Sequence, residues 1–143
     1  MNSAQPGKYT ISKAINLKCI LADSFPAGIS QSHAEIRELC GGNSDVTYYG
    51  ISHPDNHNGI IYLAGAQENF VAETGKKLVA KTIPTGDYIF MDVADYTNNL
   101  MKIGLVFDKL THYPGIDPNG FCLEWYLPDD ICRCMIRLND RTQ

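Results

Sequence analysis

One carboxylate stands out by its company. The stretch GFCLEWYLPDD, residues 120–130, reads as a β-strand running into a tight turn, with Glu124 set among cysteine, leucine, tryptophan and tyrosine. Side chains alternate between the two faces of a strand. Cys122, Glu124 and Tyr126 therefore share one face, while Phe121, Leu123, Trp125 and Leu127 share the other, which reads as a core face. If Leu127 pairs with Ile131 in the following strand, Cys132 and Cys134 join the Glu124 face and make it semi-apolar. Desolvation there disfavours an ionised carboxylate unless a positive charge comes to it.

A carboxylate in an aromatic-lined cavity suits an organic cation. Coulomb attraction is strengthened in a reduced dielectric, and a tyrosine or tryptophan face adds about 0.5 to 2 kcal/mol of cation–π attraction. Tyr126 and Trp125 are the nearest candidates for such a wall. Tyr48 has the parity of Gly50, which echoes Glu124 in the first half of the chain, and Tyr88 and Phe90 alternate together in GDYIFMD. The plain alternative is an exposed Glu124 hydrogen-bonded to Tyr126 or paired with Arg133 or Arg137, since an open antiparallel sheet normally carries polar residues on one face.

Other clusters carry less. His53, Asp55 and His57 in SHPDNHN lie close together but lack a fixed tetrahedral spacing, and the thiols of CRC lack a second ligand pair, so no metal and no cofactor are expected. Tyr9, Tyr62 and Phe107 read as core residues. No nucleophile elbow, phosphate-binding loop or dinucleotide fingerprint is present.

The elements that must position these groups follow from periodicity. Residues 8–21 approximate alternation and predict a long strand with an irregularity near Ala14. Ser32 with Glu35 resembles a capping box for a short helix whose apolar face is Ile36, Leu39 and Cys40, stopped by Gly41 and Gly42. Strands are expected at about 45–52 and 60–67. A second long extended region runs over 77–93, broken at IPTG, and Asp95 or Thr97 then caps a helix with the stripe Leu100, Ile103, Gly104, Phe107 and Leu110. A hairpin across PDD closes the chain. Each half thus reads β-α-β-β, a weak duplication with pseudo-repeats at about 8–68 and 77–138 inside one domain, 1–143, and a groove between halves is the expected ligand site.

The 143 residues are 44% hydrophobic and 20% charged, which fits one globular domain. A net charge of -4 with no lysine or arginine stripe argues against direct nucleic-acid binding. No segment approaches the roughly 18 apolar residues of a membrane span and the N-terminus lacks a signal-peptide core, so a cytoplasmic protein with no membrane association is expected. The odd count of five cysteines predicts reduced thiols without a disulfide framework.

The strings TYYGISHPD, IIYLAGAQE, KTIPTGDYIFMDV and FCLEWYLPDD with CRCMIRL, in that order over about residues 8–138, resemble the GyrI-like small-molecule-binding family, the effector-binding domain of AraC- and MerR-type multidrug-responsive activators. The resemblance implies an α+β, SOUL/GyrI-like fold: a duplicated β-α-β-β with antiparallel sheet, two helices on one side and a central groove. It implies that Glu124, with Tyr126 nearby, holds amphipathic cations for sensing or sequestration. No helix-turn-helix accompanies it, so a stand-alone binding domain is expected, as monomer or homodimer. Two departures are the poor match of residues 21–42 to the family's first helix and the absence of tryptophan from the second. Two other functions fit the same resemblance: a hydrolase of electrophilic xenobiotics with Glu124 as base and Tyr126 as donor, and a gyrase-modulating protein.

Overall fold

The irregularity near Ala14 divides more than a strand. In a computed structural model of the chain, described for residues 5–55, 57–75 and 77–140, the first extended region breaks into β1 (Gly7–Ile11) and β2 (Ile15–Leu21), and the second into β5 (Val79–Ile83) and β6 (Gly86–Ala94). Between them lie α1 (Ile29–Leu39), β3 (Tyr48–Pro54) and β4 (Ile60–Gln67); after them come α2 (Leu100–Thr111), β7 (Cys122–Leu127) and β8 (Ile131–Arg137). The fold is α+β with antiparallel pairing throughout these strands and two helices, as expected.

Two compact units result. One is the continuous segment 14–84; the other joins the segment ending at Lys13 to the one starting at Thr85. In the 14–84 unit the strand order is β3-β4-β2-β5, and in the C-terminal unit it is β7-β8-β6-β1. The two orders follow one rule. In each, the strand before the helix pairs with the second strand of the hairpin after it and with an end strand from elsewhere in the chain. The duplication is therefore β2-α1-β3-β4 and β6-α2-β7-β8, each completed by a short strand that the contiguous ranges 8–68 and 77–138 assign to the other repeat.

Each unit buries its helix against its own strands. Ile36 and Cys40 of the α1 region pack with Ile20, Tyr62, Ala64 and Ala66, and Val106, Phe107 and Leu110 of α2 pack with Ile89, Val93, Cys132 and Ile136. Burying such side chains contributes roughly 1.5 to 3 kcal/mol apiece, enough to override weak local signals.

Local signals were overridden at both helix starts. α1 begins at Ile29 without a side-chain cap, and Ser32, expected as the cap, lies one turn inside with its Oγ donating to Ile29 O at 2.7 Å. The preceding turn supplies the first bonds instead, Gly28 N to Ser24 O and Ser32 N to Gly28 O. Neither Asp95 nor Thr97 caps α2: Asp95 is left-handed at φ 52°, Tyr96–Asn98 forms a 3-10 turn, and Thr97 bonds to Asp130. The stripe is also rotated, because Leu100 (64% exposed) and Gly104 face solvent while Val106 is buried.

Candidate functional site

The β7–β8 register places the carboxylate. Glu124 lies opposite Cys134, which lies opposite Met91 on β6; Tyr126, Cys132 and Val93 form the next row. Paired residues share a face, so one row runs carboxylate, thiol, thioether and its neighbour runs phenol, thiol, valine. This is the face that packs against α2, with Cys122, Tyr126 and Tyr96 at its margin. The Glu124 face, expected to be semi-apolar, is a second core face, because α2 covers it. Leu123 and Met135 on the opposite face are also fully buried.

Glu124 is only 8% exposed, one of three buried polar side chains among the described residues. The hydroxyl of Tyr126 donates to Glu124 Oε1. Tyr96, from the turn before α2, sets its ring 5.2 Å from that of Tyr126 at 54°. The Cys132 thiol is raised far above its ordinary pKa, first by its hydrogen bond with Cys134, then by burial and by the nearby negative groups including Glu124 and Asp92. It is accordingly a neutral, soft wall and not a nucleophile.

The remaining expected residues lie elsewhere. Trp125, Tyr88 and Phe90 belong to the opposite face of the same strands, since their parity is that of Leu123 and Met135. There Trp125 meets Tyr9 edge-on with centroids 5.3 Å apart. The Arg133 guanidinium stacks 4.2 Å from the Phe90 centroid and reaches both carboxylate oxygens of Asp92, at 2.8 and 3.0 Å. Tyr88 is 1% exposed, and burial pushes its phenol up to about 12. Arg137 serves Asp117, Asp140 and Thr85 O. The alternative of an exposed Glu124 paired with Arg133 or Arg137 is thus excluded by parity and by burial, whereas its hydrogen bond with Tyr126 is present.

Tyr48 belongs to the 14–84 unit, packed against the α1 cluster with the Arg37 guanidinium 5.4 Å from its ring centroid. Burial, then Cys40, raises its phenol. Of the residues expected to act together, the structure unites Glu124 and Tyr126. Tyr62 and Phe107 are buried as expected, while Tyr9 is only half-buried.

Asp55 accepts the N–H groups of His57 and Gly59 at 2.7 and 2.8 Å, which hold its carboxyl below the usual range. Those bonds make a turn. No three histidine, cysteine, aspartate or glutamate side chains converge on a metal position among the described residues, and no helix there is long and apolar enough to cross a membrane.

Two residues escaped the sequence, Tyr96 at the Glu124 site and His33 in the separate core of the 14–84 unit. Tyr96 is an aromatic residue inside the polar string ADYTNN, which is its only signal. His33 stands three residues before Ile36, on the apolar side of α1, and shares a 2.7 Å hydrogen bond between its Nε2 and Tyr62 Oη.

No family profile matches the chain, and no curated protein matches it. Solved structures do. An integron cassette protein from Vibrio cholerae aligns with a TM-score of 0.67 at 10% identity, covering 94% of this chain and 95% of its own. SAV2435, solved with tetraphenylphosphonium bound, aligns with a TM-score of 0.62 at 12% identity over 96% of each chain. A hydrolase from Listeria innocua aligns with a TM-score of 0.54 at 11% identity over 94% of this chain and 92% of its own. The likeness is one of fold.

Proposed function

We propose that this chain is a GyrI-like binding domain for lipophilic organic cations, acting in sensing or sequestration, with Glu124 as counter-charge and Tyr126 as the group that orients it. The observation that carries this reading is a carboxylate 8% exposed on a sheet face whose other side chains are thiols, a thioether, aliphatic groups and the phenol of Tyr126 that hydrogen-bonds to it. A lipophilic cation offers such a group charge compensation and apolar contact together. The fold shared with SAV2435, whose structure holds tetraphenylphosphonium, supports the ligand class.

The test is thermal stability of the wild type and Glu124→Gln with tetraphenylphosphonium and with a neutral analogue of the same shape. Glutamine keeps an acceptor for Tyr126 and removes the charge. At a concentration of about 100 times its Kd, the cation should stabilise the wild type by about 2.7 kcal/mol and raise Tm by several degrees. The variant should lose on the order of tenfold in affinity for the cation and keep its response to the neutral compound. Equal responses of the two proteins would remove Glu124 from the binding site.

The fold shared with the Listeria innocua hydrolase keeps a second reading in play, with Glu124 as base and Tyr126 as donor toward an electrophile. Turnover that disappears in Glu124→Gln supports it; an electrophile recovered unchanged after long incubation excludes it.

A further inference from the structure

Three non-glycine residues adopt left-handed backbone within one small region: Asp95 at φ 52°, Asp129 at 67° and Asp130 at 59°. Such positions are unfavourable for residues with a Cβ and persist where surrounding contacts over-determine them. The contacts converge on Asp130. Its carbonyl accepts Tyr96 N at 3.2 Å, Oδ2 accepts Thr97 N at 3.3 Å, and Oδ1 accepts Thr97 Oγ1 at 2.5 Å. The turn between β7 and β8 thereby grips the turn between β6 and α2, two segments more than thirty residues apart in sequence. The residue held by this grip is Tyr96, whose ring meets the ring of Tyr126, whose hydroxyl in turn binds Glu124.

Resting on the cation-binding reading above, we propose that Tyr96 is a specificity-determining wall of the Glu124 site and that Asp130 is the latch that positions it. Tyr96 and Tyr126 are half-buried and come from two different elements, and Tyr126 is the one that binds the buried carboxylate. The two rings touch and one of them binds the carboxylate, so aromatic faces and a negative charge stand together, a combination that favours a cation over a neutral molecule of equal size. Because Glu124 is nearly buried, a ligand reaches it only if some neighbouring segment gives way. The helix α2 is held by Val106, Phe107 and Leu110, all buried. The 95–98 turn is held by hydrogen bonds near the surface, each of modest net strength, and by the half-buried Tyr96 ring, fewer buried contacts than hold α2, so it gives way more readily than the helix.

The experiment measures tetraphenylphosphonium affinity by isothermal titration calorimetry and its dissociation rate by stopped flow. It compares wild type, Tyr96→Phe, Tyr96→Leu and Asp130→Asn, at a temperature where circular dichroism shows all four folded. Phenylalanine keeps the ring and should bind within about twofold of wild type. Leucine should weaken the cation about two- to thirty-fold, the range of one cation–π contact, and leave the neutral analogue unaffected. Asparagine tolerates the left-handed backbone but weakens the grip on Thr97, so it should speed dissociation several-fold. An equal loss for cation and neutral analogue in Tyr96→Leu would mark simple packing and overturn the inference, as would wild-type affinity in that variant. Wild-type protein that binds no tetraphenylphosphonium would overturn the cation-binding reading itself, and this inference with it.

Discussion

His33 and Glu124 are both buried polar groups, and each meets a tyrosine hydroxyl, His33 that of Tyr62 and Glu124 that of Tyr126. Glu124 accepts a hydroxyl hydrogen bond. His33 gives up its charge: burial, and secondarily the Arg37 guanidinium, lower its pKa from the ordinary 6.5 to about 4. Between those two values the unfolded chain binds the proton and the folded one does not, so stability is full above about pH 6.5 and falls as pH drops toward 4. At about 1.4 kcal/mol per pKa unit the loss is about 3 kcal/mol. Replacing His33 with phenylalanine should remove this component. Denaturant unfolding of both proteins at pH 7 and pH 4 should show the wild type losing more, by up to that amount; identical losses would show that His33 protonates freely in the folded state.

At the scale of elements, two glycines separate the demands of helix and strand. Gly104 sits on the solvent side of α2 with nothing within 4 Å of where a Cβ would stand. Gly104→Ala should therefore stabilise the protein by about 0.5 to 1 kcal/mol, through helix propensity alone. Gly65 in β4 lies opposite Cys19, and a Cβ there would come within 2.6 Å of Cys19 Sγ, a fully buried sulfur. Gly65→Ala should cost roughly 1 to 3 kcal/mol, as overpacking does. Melting temperatures of the two variants moving in opposite directions would confirm the contrast.

The strands were legible because alternation is a strong signal: β4 was expected and found at Ile60–Gln67, and the breaks at Ala14 and IPTG are both present. Helix starts were not. Ser32 and Thr97 are good capping residues by type, but one is drawn into the first turn and the other is taken by Asp130, choices made by contacts far away in sequence. For the same reason parity separated Glu124 from Trp125 in advance, whereas which face α2 covers could not be read from parity. Tyr96 was invisible because what recommends it is a turn more than thirty residues downstream.

For the molecule as a whole, the duplicated order was readable and the exchange of end strands was not. Short strands such as GKYTI and VAKTI carry no mark of which sheet they join, yet β1 pairs with β6 and β5 with β2. The exchange makes the two units unequal as pieces of chain. Residues 14–84 contain every strand of their unit, whereas a piece ending at residue 76 leaves one side of β2 without β5. Hydrogen exchange on the two fragments should show slower exchange of β2 amides in 14–84 than in 1–76; equal rates would mean that β5 adds nothing to its unit. The same asymmetry has a consequence for a chain made from its N-terminus. The 14–84 unit can close once β5 has emerged, but β1, synthesised first, must wait through more than half of the chain for β6. During that interval it is an unclaimed sheet edge, and the exposed Lys8 and Thr10 that alternate along it are the kind of residues that keep a waiting strand from pairing with the wrong neighbour.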